Sequence, residues 1–301
     1  MTTTQNTVVS RGTTVPFAEL PAKSIALDGY CQGPAVDVEG ERFSFDHHAG
    51  CLRLITSATC KQVFDAILLG FDPTDYTIYI NDVDGDTVLS VWLLRNAAKV
   101  AAEPCEVRDL VEAVSAIDAH GPAYPTDNAL LVDKFFQGVM APEVAARRNK
   151  TFQTANLDEM LESCVDNVSL LLDGGLGYRP KTDERGYEIT HTGNGWVMAK
   201  SNDFIFDLLY AAGHTRAVAY QRLSDGSYAY TVAKKSELVS HFPVGPANKE
   251  GNILYALNAR EPGWGGGSTI GGAPRNADGS RSHLTPDEVF QIVEGVIKNN
   301  R

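Results

Sequence analysis

The sequence predicts an α/β fold, a mainly parallel sheet flanked by helices with a second, smaller α/β domain, and three observations carry that reading. From Ser24 to Asp118 short apolar runs alternate with stretches of helical periodicity, the pattern of strands joined by crossover helices. A second alternation begins near Gly195. At 301 residues the chain is also long for one hydrophobic core. The expected division is a flexible N-terminus over residues 1–20, a first α/β domain with a helical extension over 21–180, and a second domain over 190–301.

Strands are expected at 24–27, 42–45 and 77–81, where β-branched, aromatic and apolar residues gather. The first helix is expected over 57–69: Thr56-Ser57 offers an N-cap, and Val63, Ala66, Ile67 and Gly70 recur at helical spacing. Further helices follow at 87–94, 107–117, 130–139 and 157–172, the last with Met160, Leu161, Cys164, Val168, Leu171 and Leu172 on one stripe. Asp173-Gly174-Gly175-Leu176-Gly177 breaks the chain, and the charged stretch 181–188 is expected to be an exposed linker. Beyond it come a strand at 196–199, a helix at 204–212 closed by Gly213, and a hairpin of 217–223 with 228–233 around Ser224-Asp225-Gly226-Ser227. Thr285-Pro286-Asp287-Glu288 opens the last helix, which runs to 296 or 297.

Bulk properties exclude several classes. A net charge of −12 opposes electrostatic tracking along a long nucleic-acid duplex. A small-molecule or short-oligonucleotide substrate fits that charge better. No apolar run approaches the length of a membrane span, so no membrane partner is expected. The polar start Met1-Thr2-Thr3-Thr4-Gln5-Asn6-Thr7 lacks a signal-peptide core. Five widely spaced cysteines, an odd number with no close pair, argue against a secreted disulfide framework and against a zinc knuckle. The expected setting is the cytoplasm, Cys51 and Cys60 are read as small core residues, and a homodimer is compatible with the sequence.

The chemistry concentrates at strand ends. Asp28 follows Ser24-Ile25-Ala26-Leu27, Asp46-His47-His48 follows Phe45, and Asp82, Asp84 and Asp86 follow the run ending at Ile80. In open α/β sheets ligands bind outside the carboxyl ends of the strands. Carboxylates about 4 Å apart repel by about 4 kcal/mol at an effective dielectric of 20, so a cation should sit among them. With two histidines in the set, a divalent metal is the natural candidate. The alternate spacing of Asp82, Asp84 and Asp86 also resembles a calcium loop, but such a loop needs glycine at position six and glutamate at position twelve. Thr87 and Leu93 stand there instead. Adjacent His47 and His48 point in opposite directions if extended, so one can bind metal while the other meets substrate. Asp118 sits at the end of an apolar helix, where the macrodipole disfavours a carboxylate and asks for a compensating cation. Its neighbour His120 is a candidate substrate contact.

Gly265-Gly266-Gly267-Ser268-Thr269, continuing through Gly271-Gly272 to Arg275, is too glycine-rich for a helix or a packed strand. Such backbone can approach an anion and offer it several N–H groups, and Arg275 could hold a phosphate or carboxylate. The Gly-Lys-Ser/Thr ending of a Walker loop is missing. His191, His214, His241 and His283 stand alone and default to surface or structural roles; His191 is the one best placed to reach a cleft.

These residues together resemble the DHH superfamily of metal-dependent phosphoesterases, on Asp46-His47-His48, Asp28 upstream, Asp82-Val83-Asp84-Gly85-Asp86 and Asp118. The C-terminal third is similar to the DHHA1 domain in the order of hairpin, glycine-rich loop and final helix. In this chain the aspartate triplet follows the Asp-His-His where the family has it before, and Ser268 stands where the family's loop carries a histidine. The resemblance implies two divalent ions about 3.5–4 Å apart, manganese first, with Mg2+, Fe2+, Co2+ or Zn2+ as alternatives. Asp28, His47, Asp84, Asp86 and Asp118 would be their ligands, with Asp82 as an additional one. It further implies His48, Asp46 and Arg275 as catalytic residues. Gly265, Gly266, Gly267, Ser268, Thr269, Arg275 and His120 would contact a substrate lying between the domains. Two other readings stay open: hydrolysis of an amide or other non-phosphate bond, and a metal-stabilised binding protein without turnover.

Overall fold

The computed structural model describes residues 5–52, 54–180, 184–276 and 278–300. The chain folds as two compact units, Met1–Lys181 and Thr182–Arg301.

In the first unit the strands are β1 (Thr7–Val9), β2 (Ser24–Leu27), β3 (Ala35–Asp37), β4 (Arg42–Phe45) and β5 (Thr77–Ile80), in the sheet order β1-β5-β2-β4-β3. All pairings are parallel except the edge pair β3–β4. The central β2 is buried along its whole length, which is why it reads as a continuous apolar run and not as an alternation. The helices are α1 (Thr59–Leu68), α2 (Gly85–Arg95), α3 (Ala97–Ala102), α4 (Cys105–His120), α5 (Ala129–Asp133), α6 (Ala141–Arg148) and α7 (Leu157–Leu172). The stretch expected as one helix over 130–139 is α5 followed by a π-helical segment, Lys134–Val139.

Helix α2 is buried from Gly85 to Leu94, as its all-round apolar sequence requires. It sits in a core that includes Phe64, Leu89, Trp92 and Phe135, and the Trp92 indole N–H donates to Ser169 Oγ at 2.9 Å. Gly85 permits that burial. A Cβ there would lie 2.8 Å from Phe136 Cε1 and 3.0 Å from Phe135 Cε1, both on the π-helical segment.

The N-terminal segment expected to be flexible contributes an edge strand, because Thr7, Val8 and Val9 pair in register with Ile78, Tyr79 and Ile80. Residues 1–4 of that segment lie outside the described residues. So do residues 181–183 of the expected linker, whose far end, Glu188, already begins a strand.

The second unit carries β6 (Glu188–Thr192), β7 (Val197–Lys200), α8 (Phe206–Ala211), β8 (Arg216–Arg222), β9 (Tyr228–Lys234), α9 (Ile253–Arg260), β10 (Gly265–Gly266), β11 (Ile270–Gly272) and α10 (Pro286–Asn299). Its sheet runs β10-β11-β9-β8-β7-β6, with only β7–β8 parallel. Helix α10 has the expected signature: Thr285 and Glu288 form a reciprocal capping box with Pro286 at the first turn. The glycine-rich stretch corrects the sequence reading, since it forms the β10–β11 hairpin. Lacking Cβ atoms, these residues approach their neighbours closely: a Cβ on Gly271 would lie 2.3 Å from Leu254 Cδ1. Among the described residues no helix is long and apolar enough to cross a membrane.

Gly85→Ala should destabilise the first unit by about 1–3 kcal/mol through overpacking. Gly177→Ala, where a Cβ meets nothing within 4 Å, serves as the control. Chemical denaturation in EDTA checks the pair, and equal midpoints would contradict the close packing at Gly85.

Candidate metal centre

Three parallel strands deliver their following residues to one edge of the sheet. Leu27 on β2 is in register with Phe45 on β4, so Asp28 and Asp46 emerge side by side. Asp28 has φ +47°, a left-handed conformation uncommon for a residue with a Cβ. Its N–H donates to the Phe45 carbonyl at 2.9 Å while the chain turns. The Asp28 carboxylate accepts from the hydroxyls of Thr59 at 3.0 Å and Thr87 at 3.4 Å.

Asp46 is fully buried, and its carboxylate accepts from Gly33 N–H at 2.8 Å, from His48 N–H at 3.1 Å and from the His48 ring Nδ1 at 2.8 Å. Burial acts to raise its pKa, but these bonds outweigh it and hold the carboxyl below its usual value. The side chain of Asp46 therefore orients His48. That histidine is 43% exposed and His47 is wholly buried, but the expected opposite orientation of the rings does not hold: the chain bends at 47–48, the rings meet edge-on at 4.6 Å, and both reach Asp28.

His47 is the centre of the cluster. Its Nε2 lies 2.9 Å from Asp118 Oδ2, 3.6 Å from Asp28 Oδ1 and 3.6 Å from Asp86 Oδ2. Even so, neither ring nitrogen has a hydrogen-bond partner among the described residues. Two sets of donor atoms, Asp28–His47–His48 and His47–Asp86–Asp118, each lie within 4.8 Å of one another and share His47.

Asp86 is held from behind. One carboxylate oxygen accepts from Thr59 N–H at 2.6 Å and the other from Cys60 N–H at 2.7 Å, the first two residues of α1. The expected cap at Thr56-Ser57 is not used: the residue preceding the helix is Ala58, and Asp86 from α2 satisfies those amides. Burial first, then Asp118, raises the Asp86 carboxyl to about 6. Burial and Asp118 likewise raise Asp84, which caps α2 by accepting from Thr87 N–H at 2.9 Å. Asp28 is pushed well above its ordinary value by burial and by Asp84, Asp86 and Asp118. The ionisation of Asp28, Asp84 and Asp86 is thus opposed in a site containing no fixed cation among the described residues. The Cys60 thiol, buried against Asp86, is also pushed up, by burial above all.

Asp82 is more peripheral, accepting from Val83 N–H at 2.7 Å. With Asp28, Asp84, His48 and Asn81 it lines a cavity of about 450 Å³. His120 lines a different cavity. Gly265–Thr269 and Arg275 belong to the second unit, where Ser268 donates to Glu237, the Thr269 carbonyl accepts from Lys234 N–H at 2.9 Å, and Arg275 is exposed beside Arg281.

Sequence reasoning missed Thr59, Thr87, Gln62 and Asn81. Gln62 donates to the Asp46 carbonyl at 2.9 Å, and the Asn81 amide donates to the carbonyls of Thr13 at 2.9 Å and Gly29 at 3.0 Å. Only Thr59 carried a signal, its place in the run Thr56-Ser57-Ala58-Thr59 before an apolar helix. No family model, curated protein or solved structure matches the chain.

A carboxyl whose folded pKa is raised binds its proton more tightly than in the unfolded chain, so its contribution to stability is full below about pH 4 and is lost as pH rises through the folded value. For Asp86 a rise from 3.8 to about 6 corresponds to about 3 kcal/mol. Metal-free protein should therefore denature more easily at pH 7.5 than at pH 4.5, and Mn2+ should restore more stability at pH 7.5. Denaturation in EDTA and in Mn2+ at both pH values checks this; a metal effect independent of pH would contradict it.

Proposed function

We propose that this chain is a divalent-metal-dependent hydrolase of the DHH phosphoesterase kind, acting in the cytoplasm on a small nucleotide or short oligonucleotide. In this reading the second unit is a smaller, DHHA1-like substrate domain. The observation that carries it is the buried His47, whose Nε2 lies 2.9 Å from the Asp118 carboxylate and 3.6 Å from those of Asp28 and Asp86. An oxygen-rich set with imidazole suits Mn2+ above all, and also Fe2+, Co2+, Zn2+ or Mg2+. Asp28, His47, Asp86 and Asp118 would hold the metal, with Asp84 and Asp82 beside them. A bound divalent cation supplies Lewis acidity and a water acidified toward neutral pH.

The chain's own residues supply the rest. The α1 amides fix the Asp86 carboxylate so that it cannot swing away from His47. Thr59 and Thr87 do the same for Asp28. Asp46 holds the His48 ring by Nδ1, which leaves Nε2 for a substrate oxygen at the rim of the cavity. As an imidazolium, His48 would donate from Nε2 to the charge that develops on that oxygen. The net charge of −12 favours short substrates over long polyanions.

Purified protein should carry at least one tightly bound divalent ion per chain and hydrolyse phosphodiesters or phosphomonoesters with Mn2+. Asp118→Ala should weaken metal binding at least about 10-fold. His48→Ala should retain the metal and lose about 10²–10⁴ in turnover. Metal analysis with a panel of phosphate esters and amides decides the matter. No bound metal in the wild type would sink the reading, turnover of amides alone would replace the phosphate chemistry, and metal without turnover would leave a binding protein.

A further inference from the structure

A second cavity, of about 430 Å³, opens in the first unit beside the carboxylate cluster, and its lining differs in kind. It is bounded by the face of α4 that carries Glu112, Ser115 and Ala119, by the segment before α1, and by the turn after α4. That turn is made by Gly121 at φ +88°, whose N–H donates to the Ile117 carbonyl at 2.7 Å. Tyr124 N–H then donates to the Gly121 carbonyl at 3.0 Å and folds the phenol back over His120. The two rings lie 4.6 Å apart at 33°. Tyr124 is 43% exposed, and Leu54 and Ile55, which line the same cavity, are 54% and 77% exposed. An aromatic pair and exposed apolar side chains lining one cavity suit a flat ring.

The polar groups around the cavity specify which ring. Glu112 and Asp127 present carboxylate acceptors, Ser57 and Ser115 present hydroxyls, and Asn128 stands at the start of α5 with an amide that makes no capping bond. Two carboxylates repel a phosphate and accept from exocyclic amino and ring N–H groups. The location agrees with such a ligand. Ser115 and Ala119 flank Asp118 within about one 5.4 Å turn of α4. Thr56 and Ser57 lead directly into Thr59, which donates to both Asp28 and Asp86.

We infer that this cavity is a nucleobase subsite, in which an amino-bearing base stacks on the Tyr124–His120 pair. Its role in positioning a nucleotide beside the carboxylate cluster rests on the hydrolase reading, whereas base binding does not. The test is calorimetric titration of the full chain in EDTA with adenosine, guanosine and cytidine, which carry no phosphate, and with ribose. Wild-type protein should bind at least one of the nucleosides and should not bind ribose. Tyr124→Ala should weaken that binding at least 10-fold, and Tyr124→Phe should retain it because the ring remains. Binding unchanged in Tyr124→Ala, or absent for all three nucleosides in the wild type, would overturn the inference. The titration contains neither metal nor phosphate, so a failure of the hydrolase reading appears separately, in the metal analysis and the hydrolysis panel.

Discussion

The structure of the first unit depends on one unfavourable arrangement: the carboxyl groups of Asp28, Asp84, Asp86 and Asp118 gathered about a buried imidazole with no fixed counter-charge among the described residues. Burial and mutual repulsion both disfavour ionisation there, and the raised pKa values of three of these groups are the consequence. The fold keeps the groups in place by spending strong donors on them. Asp86 takes two α1 amides, Asp28 takes two threonine hydroxyls and Asp84 takes the Thr87 amide. A site built this way has its polar atoms held in fixed positions by the scaffold.

The same bonds join site and scaffold. Helix α1 begins where it does because a carboxylate on α2 caps it, so the helix and the site are specified together. Helix α2 can run buried through the core because Gly85 lets Phe135 and Phe136 approach its first turn. Its N-terminus carries Asp84 and Asp86 to the sheet edge where β2 and β4 end. A bend at His47 and His48 brings the two rings to 4.6 Å and sets both against Asp28, with one ring buried among carboxylates and the other, tied to Asp46, 43% exposed.

Much of this was legible in the residues. The strands at 24–27 and 42–45 and the helix at 157–172 coincide with β2, β4 and α7, because buried parallel strands and a long amphipathic helix leave strong local patterns. The clustering of Asp28, His47, Asp86 and Asp118 followed from placing each at a strand or helix end. The β1 edge strand was not legible, since a polar segment such as Asn6-Thr7-Val8-Val9 becomes a strand only when β5 supplies its partner. The glycine-rich stretch misled for the converse reason: glycine weakens an isolated strand, but here the missing Cβ atoms allow close packing on Leu254.

By itself the sequence determined the α/β class and the strand ends that carry acids and histidines, because periodicity and charge are properties of the chain. Tertiary structure alone decided that Asp86 caps α1, that Thr59 and Thr87 hold Asp28, that Asp46 serves His48, and that His120 faces another cavity with Tyr124. The bonds made by Thr59 and Thr87 join residues on separate parts of the chain, up to 59 positions apart for Thr87 and Asp28. Hydrogen bonds of that kind depend on distances and angles that exist only once the elements have packed.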